Sequence, residues 1–485
     1  MKTRALFLVP LAAVLAAGCA VGPHYARPAA PASPVDVFKE ADGWKRAQPN
    51  DEALRGKWWE LFGDPQLNAL EERLTSSNED LKAADARFRE ARAMIGVSRA
   101  AQRPTISTTP AAAFVRNSGN TSLSSTTLNP PVTGVYSLPV DLSYEADVWG
   151  RVRREVSAAR DRAEASAADR QTINLSLQAE LALDYFALRS SDAQRRLLDA
   201  AVAAFTEALQ LTTNRFEGGA AARSDVTQAK TQLEATRVQA TDLAVQRARY
   251  EHAIATLMGE PPSAISLPSA PLDTVPPAIP PGVPSQLLER RPDVASAERR
   301  AAEANERIGI AQTSFFPTVM LSAIGGFEGN SLANWFAWPS RFWAIGPTAV
   351  QTIFDGGRRR AISDAAIAAY DATVADYRQA TLDAFRQVED SLAALRILEQ
   401  EAQQQESATA SARESLRISN DRYLAGADPY LQVLTAQTIA LANERNDVEI
   451  LRRRMEASVL LIKALGGGWT TAELPSLAAG AGRFQ

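Results

Sequence analysis

From residue 137 to residue 148 the chain alternates strictly. Leu138, Val140, Leu142, Tyr144, Ala146 and Val148 fall on one side, and Ser137, Pro139, Asp141, Ser143, Glu145 and Asp147 on the other. A period of two over this length predicts a β-strand with one apolar and one wet face. Its length suits a strand that crosses a membrane. The Thr-rich residues 105–115 are its expected hairpin partner. Residues 318–327 and 342–354 predict a second hairpin, less cleanly alternating. Trp335, Phe336, Trp338, Phe342 and Trp343 cluster at its loop and strand start, where membrane strands carry interfacial aromatics. The competing reading is a water-soluble hairpin packed on its own core.

Elsewhere the apolar period is helical. Leu175, Leu177, Leu181, Tyr185 and Leu188, then Leu197, Val202, Phe205 and Leu209, form a stripe suited to close helix packing. No Gly or Pro interrupts residues 151–217 or 358–425. Helices of that length reach about 100 Å, far beyond the roughly 8–20 residues of globular helices. Residues 220–258 and 430–465 are equally clean and follow short turns at Gly218-Gly219 and at residues 426–429. Each long helix is therefore expected to fold back as a hairpin. Residues 66–95 and 293–307 supply an opening helix to each half. A plain coiled-coil rod would explain the helices but not the alternating strands.

The halves are copies. Gly150-Arg151 returns as Gly357-Arg358, Gly219 as Gly426, Val226 as Val433 and Gly259 as Gly466, each 207 residues later (357 − 150, 426 − 219, 433 − 226, 466 − 259). Pro104-Thr105 matches Pro317-Thr318 at 213, so the first copy is longer between those points. A period this large is a duplicated unit, since solenoid repeats run roughly 20–50 residues. The organisation read from the chain is as follows: 1–18 an export signal, 19–65 an extended segment, and 66–260 the first repeat, with β-hairpin 104–149 and helical hairpin 150–259. Residues 261–285 form a Pro-rich connector. Residues 286–467 are the second repeat, with β-hairpin 317–355 and helical hairpin 357–466, and 468–485 a tail. Segments 20–65 and 467–485 are expected to pack outside the helices. Nine prolines between residues 261 and 284 rule out a long helix there.

Four strands cannot close a barrel. Unpaired edges in lipid cost several kcal/mol per backbone group, and the smallest single-chain bacterial barrels have about 8 strands. The chain must therefore contribute to a shared barrel, and an oligomer follows. The fold class is mostly α with a transmembrane β portion.

Net charge is −4, which gives no reason to expect a nucleic-acid partner. Lys2 and Arg4 precede an apolar run, residues 5–17, and then the chain's one cysteine, Cys19. This reads as an export signal. Residues 15–19 resemble a bacterial lipobox, with Ala16 where Leu is usual three residues before the cysteine. The resemblance implies a covalent lipid on Cys19, and Ala20 after it implies the outer membrane. The two histidines, His24 and His252, belong to no catalytic or metal-binding pattern. The expectation is no enzyme, no catalytic residues, no metal and no cofactor beyond that lipid.

One family gathers these pieces. Residues 19–23 (Cys-Ala-Val-Gly-Pro), Trp58 to Leu67, Asp147-Val148-Trp149-Gly150-Arg151, Ile353 to Arg358, and Arg422-Tyr423-Leu424-Ala425-Gly426 with residues 431–437 beyond resemble the outer-membrane efflux factors of the TolC and OprM/NodT lipoprotein type. The ordered set spans residues 19 to 467. The resemblance implies a homotrimer: a 12-stranded β-barrel in the outer membrane, continuous with a periplasmic α-helical barrel. It also implies a periplasmic adaptor and an inner-membrane pump as partners. The family's periplasmic gate falls at the helical turns. Asp225 and Tyr423 match its lock residues and Leu431 its apolar ring. Gln432 and Thr435 stand where many members carry aspartates, and Asp428 is a substitute charge, with Arg223 its expected partner. Helix-turn capping, including Asp428 as an N-cap before Pro429, is the plain alternative. The function implied is a passive exit duct for small molecules such as drugs, toxic compounds or metals. The alternatives are the duct of a type I protein secretion system and a non-conducting envelope lipoprotein.

Overall fold

A computed structural model describes residues 21–30, 39, 56–116, 118, 131–272, 274–279 and 290–474. The export signal and Cys19 lie outside them. A 3-10 turn at Trp58–Phe62 leads into α1 (Pro65–Ser77) and α2 (Glu79–Ala100). Strands β1 (Thr105–Thr108), β2 (Ala111–Val115) and β3 (Thr133–Glu145) follow, then α3 (Arg151–Glu217) and α4 (Arg223–Leu257). The second half runs α5 (Pro292–Thr313), β4 (Thr318–Gly329), β5 (Arg341–Val350), α6 (Arg358–Leu424) and α7 (Tyr430–Ala464).

The duplication is visible residue for residue. Helices α3 and α6 each have 67 residues, α4 and α7 each 35, and α2 and α5 each 22. At 1.5 Å per residue the longest pair spans about 100 Å.

The opening helix of the first half, expected as one piece, is two. Asn78 breaks it: its Oδ1 accepts from the Leu81 N–H at 2.9 Å, capping α2, while its Nδ2 donates to the Leu257 carbonyl at 2.9 Å. One side chain ends α1, starts α2 and fastens both to the end of α4.

The sheet is antiparallel, in the order β1-β3-β4-β5, with β2 also on β3. Strands β1 and β2 share one register against β3, Thr108 facing Val140 and Ala111 facing Ser137, so they form one edge strand interrupted at Thr109-Pro110. Residues paired across an antiparallel ladder share a face. One face therefore holds Ile106, Leu138, Val140, Leu142, Tyr144, Leu321, Phe327, Trp343 and Ile345. The other holds Ser107, Asp141, Ser143, Glu145, Ser322 and Glu328. Strand β3 stops at Glu145, short of the expected Val148. The Asp147 carboxylate accepts from the N–H groups of Val152 and Arg153, both at 3.0 Å, and so starts α3. Strand β5 stops at Val350, short of the expected residue 354, because its partner β4 begins at Thr318, opposite Val350; Asp355 then accepts from Gly357 and Arg359 at the head of α6.

The main apolar core lies midway along the helices. Leu181, Tyr185 and Leu188 of α3 and their repeat equivalents Val388, Leu392 and Leu395 of α6 meet Ile254 and Ile462 there. Trp58, Trp59 and Phe62 are part of this core, not packed outside it as the sequence suggested, and Trp58 donates to Gln178 at 3.2 Å. The connector is strapped to it: Arg189 donates to the Pro268 carbonyl (2.8 Å) and Arg247 to the Leu267 carbonyl (2.6 Å). Residues 21–30 lie on the helices, where the Arg154 guanidinium donates to the carbonyls of Val21 (2.7 Å) and Pro23 (3.1 Å).

Candidate functional site at the helical turns

Toward the end of the helical hairpins remote from the sheet, the core thins to one small cluster: Ala229, Tyr423, Tyr430 and Val433. The two turns above it are built alike. Gly219 and Gly426 have φ of 79° and 75°, and the following N–H groups of Ala220 and Ala427 reach back to the carbonyls of Arg215 (2.7 Å) and Arg422 (2.9 Å). This helix-ending pattern requires a left-handed residue, hence glycine.

Tyr423 is 4% exposed and meets Tyr430 edge-on, ring centroids 5.4 Å apart. Arg215, from the other hairpin, lies 4.6 Å over the Tyr423 ring and donates to the Tyr423 carbonyl at 3.1 Å. Burial, with Tyr423 beside it, pushes the Tyr430 hydroxyl up to about 12. The Tyr423 hydroxyl is buried and makes no hydrogen bond among the described residues.

Asp225 and Tyr423 are therefore not bonded within one chain. The Asp225 carboxylate accepts from the Ala222 N–H and the Ser224 hydroxyl, both at 3.4 Å, at the head of α4. Asp428 is neither an N-cap nor a partner of Arg223. It takes a two-pronged bond from Arg422, at 2.6 and 2.9 Å, which holds its carboxyl below the ordinary range. Pro429 precedes α7 without any side-chain cap. Leu431 is 51% exposed, and Gln432 and Thr435 share its exposed side of α7. The Thr435 hydroxyl is spent on the Leu431 carbonyl at 2.9 Å. Beside the closed cluster this strip is therefore exposed in the single chain.

The profile of the family described as Outer membrane efflux protein matches residues 70–260 and 283–467, one segment for each repeat. The chain belongs to the outer membrane efflux protein family. It is similar to the pyoverdine export outer membrane protein OpmQ of Pseudomonas aeruginosa, at 33% identity over 85% of this chain and 87% of that one. It is also similar to the toluene efflux pump outer membrane protein TtgF of Pseudomonas putida, at 32% over 97% and 98%. Among solved structures the outer-membrane channel OprN superposes with a TM-score of 0.85 at 30% identity, over 93% of this chain and all of that one. This outer membrane efflux protein thus resides in the outer membrane and serves efflux as its channel component, in a family of ducts rather than enzymes.

Three residues at the turns escaped sequence reasoning: Arg215, Arg422 and Tyr430. The repeat register held the signal for two of them. Arg215 and Arg422 are equivalent (422 − 215 = 207), but the position matching Asp428 in the first copy is Ala221. Arg215 lacks the local acid that Arg422 has, and turns to the other hairpin instead.

Proposed function

We propose that three copies of this chain assemble into a passive exit duct. Four strand positions per chain give a 12-stranded barrel, with the long helices as its periplasmic tunnel. The observation that carries this reading is the sheet itself. All the acidic side chains of its strands (Asp141, Glu145 and Glu328) lie on one face and none on the other, and both its edges, β1/β2 and β5, are unpaired among the described residues. Such edges are costly in lipid and are satisfied when each chain pairs with the next.

Cys19 carries the lipid anchor in this reading. Val21, two residues later, donates its N–H to the Trp149 carbonyl at 3.1 Å, at the join of sheet and helix, which supports an acyl chain entering the membrane there. A periplasmic adaptor docks on the helical turns and links the duct to an inner-membrane pump. The relatives' names, pyoverdine export and toluene efflux, support small organic molecules as cargo rather than a secreted polypeptide. The gate lies at the turns: Leu431, Gln432 and Thr435 line the constriction, and Asp225, Tyr423 and Asp428 hold the turns that carry them.

Native mass spectrometry of the detergent-extracted protein tests the assembly. Three copies per particle, each with an acylated Cys19, are expected; a monodisperse membrane-inserted monomer overturns the shared barrel.

A further inference from the structure

One side chain breaks the apolar face of the sheet. The residues sharing the face of Leu138 and Val140 are apolar, small or hydroxyl-bearing through all five strands, except Arg341. It opens β5 opposite Phe327, at the end of the sheet away from the helices. The nearest acid along the ladder, Glu328, is paired with Ser137 and so points to the polar face. The chain gives Arg341 a ring instead of an acid: its guanidinium lies over Trp338. Around it an open groove of about 500 Å³ is lined by Gly326, Phe327, Trp338, Phe342 and Trp343. A chain of ring contacts, Phe114 to Tyr136 (6.4 Å), Tyr136 to Trp335 (5.9 Å), Trp335 to Phe336 (5.0 Å) and Phe336 to Phe327 (5.4 Å), marks the same level of the sheet. Aromatics in such a row lie at the membrane–water boundary, where headgroups are.

At the headgroup level a lipid-facing guanidinium costs little and stands among anionic groups that it can pair with. A ring takes none of the five N–H donors of a guanidinium, so the fork keeps its capacity for hydrogen bonds. That fork matches two oxygens of a phosphate. Below it, Trp343 and Ile345, exposed on the same face, offer a track for an acyl chain.

We propose that Arg341, held against the Trp338 ring, binds a phosphate on the headgroup of an outer-leaflet glycolipid, whose acyl chain lies along Trp343 and Ile345. The inference rests on the apolar face meeting lipid.

The test uses the detergent-purified oligomer and native mass spectrometry with three probes: bis-phosphorylated lipid A, the same lipid stripped of phosphate, and inorganic phosphate. Bound bis-phosphorylated lipid is expected on the wild type. It should fall about tenfold in Arg341→Gln and in the stripped lipid, the loss of one charge-assisted bidentate contact. Inorganic phosphate should not bind. Arg341→Lys, which keeps charge without the fork, should recover part of the binding. Equal retention of both lipids, or unchanged binding by a folded Arg341→Gln oligomer, overturns the site. Quenching of Trp343 by brominated lipid, read as the difference between wild type and Trp343→Phe, separates the two layers. Quenching without phosphate dependence removes the headgroup site alone, whereas no quenching removes the lipid-facing wall and the site with it.

Discussion

Two arginines in equivalent places have become different parts. Arg422 closes its own turn by gripping Asp428 on the surface, where an exposed pair contributes little. Arg215 crosses to the other hairpin, covers the Tyr423 ring and bonds its carbonyl. A cation over a partly desolvated ring with one bond to a carbonyl is worth roughly 1–2 kcal/mol. Arg215→Met should therefore speed amide exchange at residues 423–433, while Arg422→Met leaves those residues nearly unchanged. Glu71 is a residue of the opposite kind. It is fully buried in α1, neither oxygen finds a donor among the described residues, and burial raises its pKa well above the usual carboxylate range. A carboxyl whose folded pKa is raised favours the folded state most below its unfolded pKa, and that advantage is lost as pH rises through the folded value. Glu71→Gln removes the titration. Its gain in Tm over wild type should be larger at pH 8 than at pH 5; equal melting differences at both would mean that Glu71 has a donor after all.

Among elements, the turns carry the sharpest requirement. With φ of 79° and 75°, Gly219 and Gly426 sit where a Cβ costs roughly 1–2 kcal/mol. Gly426→Val should make the 424–430 turn markedly more sensitive to limited proteolysis, and Gly426→Asn, which tolerates this region, much less so. The elements also show which features sequence could disclose. The long helices were legible because nothing in residues 151–217 or 358–425 breaks a helix, and the strand faces because alternation survives into the register. The strand ends were not, because Ala146 and Val148 continue the alternation while Asp147 is claimed by the N–H groups of α3. Alternation describes faces and is silent about where a carboxylate stops a strand. The break at Asn78 was legible in principle, since Ser-Ser-Asn followed by Glu79-Asp80 is a helix-start signature. At the turns the bonds were not legible. Tyr423 takes its partner from Arg215, on a helix about 200 residues away in sequence, and Asp225 bonds only its own helix start.

For the whole molecule the question is what opens the duct. The Tyr423 hydroxyl is buried inside its own protomer and unbonded among the described residues, so a neighbouring chain cannot reach it without first moving the turn. In the proposed gate the part of Tyr423 available to hold the tip shut is thus its ring, which lies under Arg215 and ties the second hairpin to the first. If the proposed gate opens by splaying the hairpins, that contact breaks in every chain. At roughly 1–2 kcal/mol per chain, the three chains of the proposed assembly would together give a bias of several kcal/mol, without requiring strict additivity. A docking partner overcomes such a bias by binding the open form more tightly than the closed one. Single-channel recording in planar bilayers separates ring from hydroxyl. Tyr423→Phe, which keeps the ring, should leave the resting conductance near that of wild type. Arg215→Met combined with Tyr423→Leu should raise the open population at least about tenfold, the effect of losing roughly 1.4 kcal/mol of closed-state bias. Asp225→Ala, which removes only the acceptor at the head of α4, should fall between the two. If Tyr423→Phe opens the channel as fully as the double variant while the oligomer stays intact, the hydroxyl is the latch and the Arg215 contact merely packs the tip.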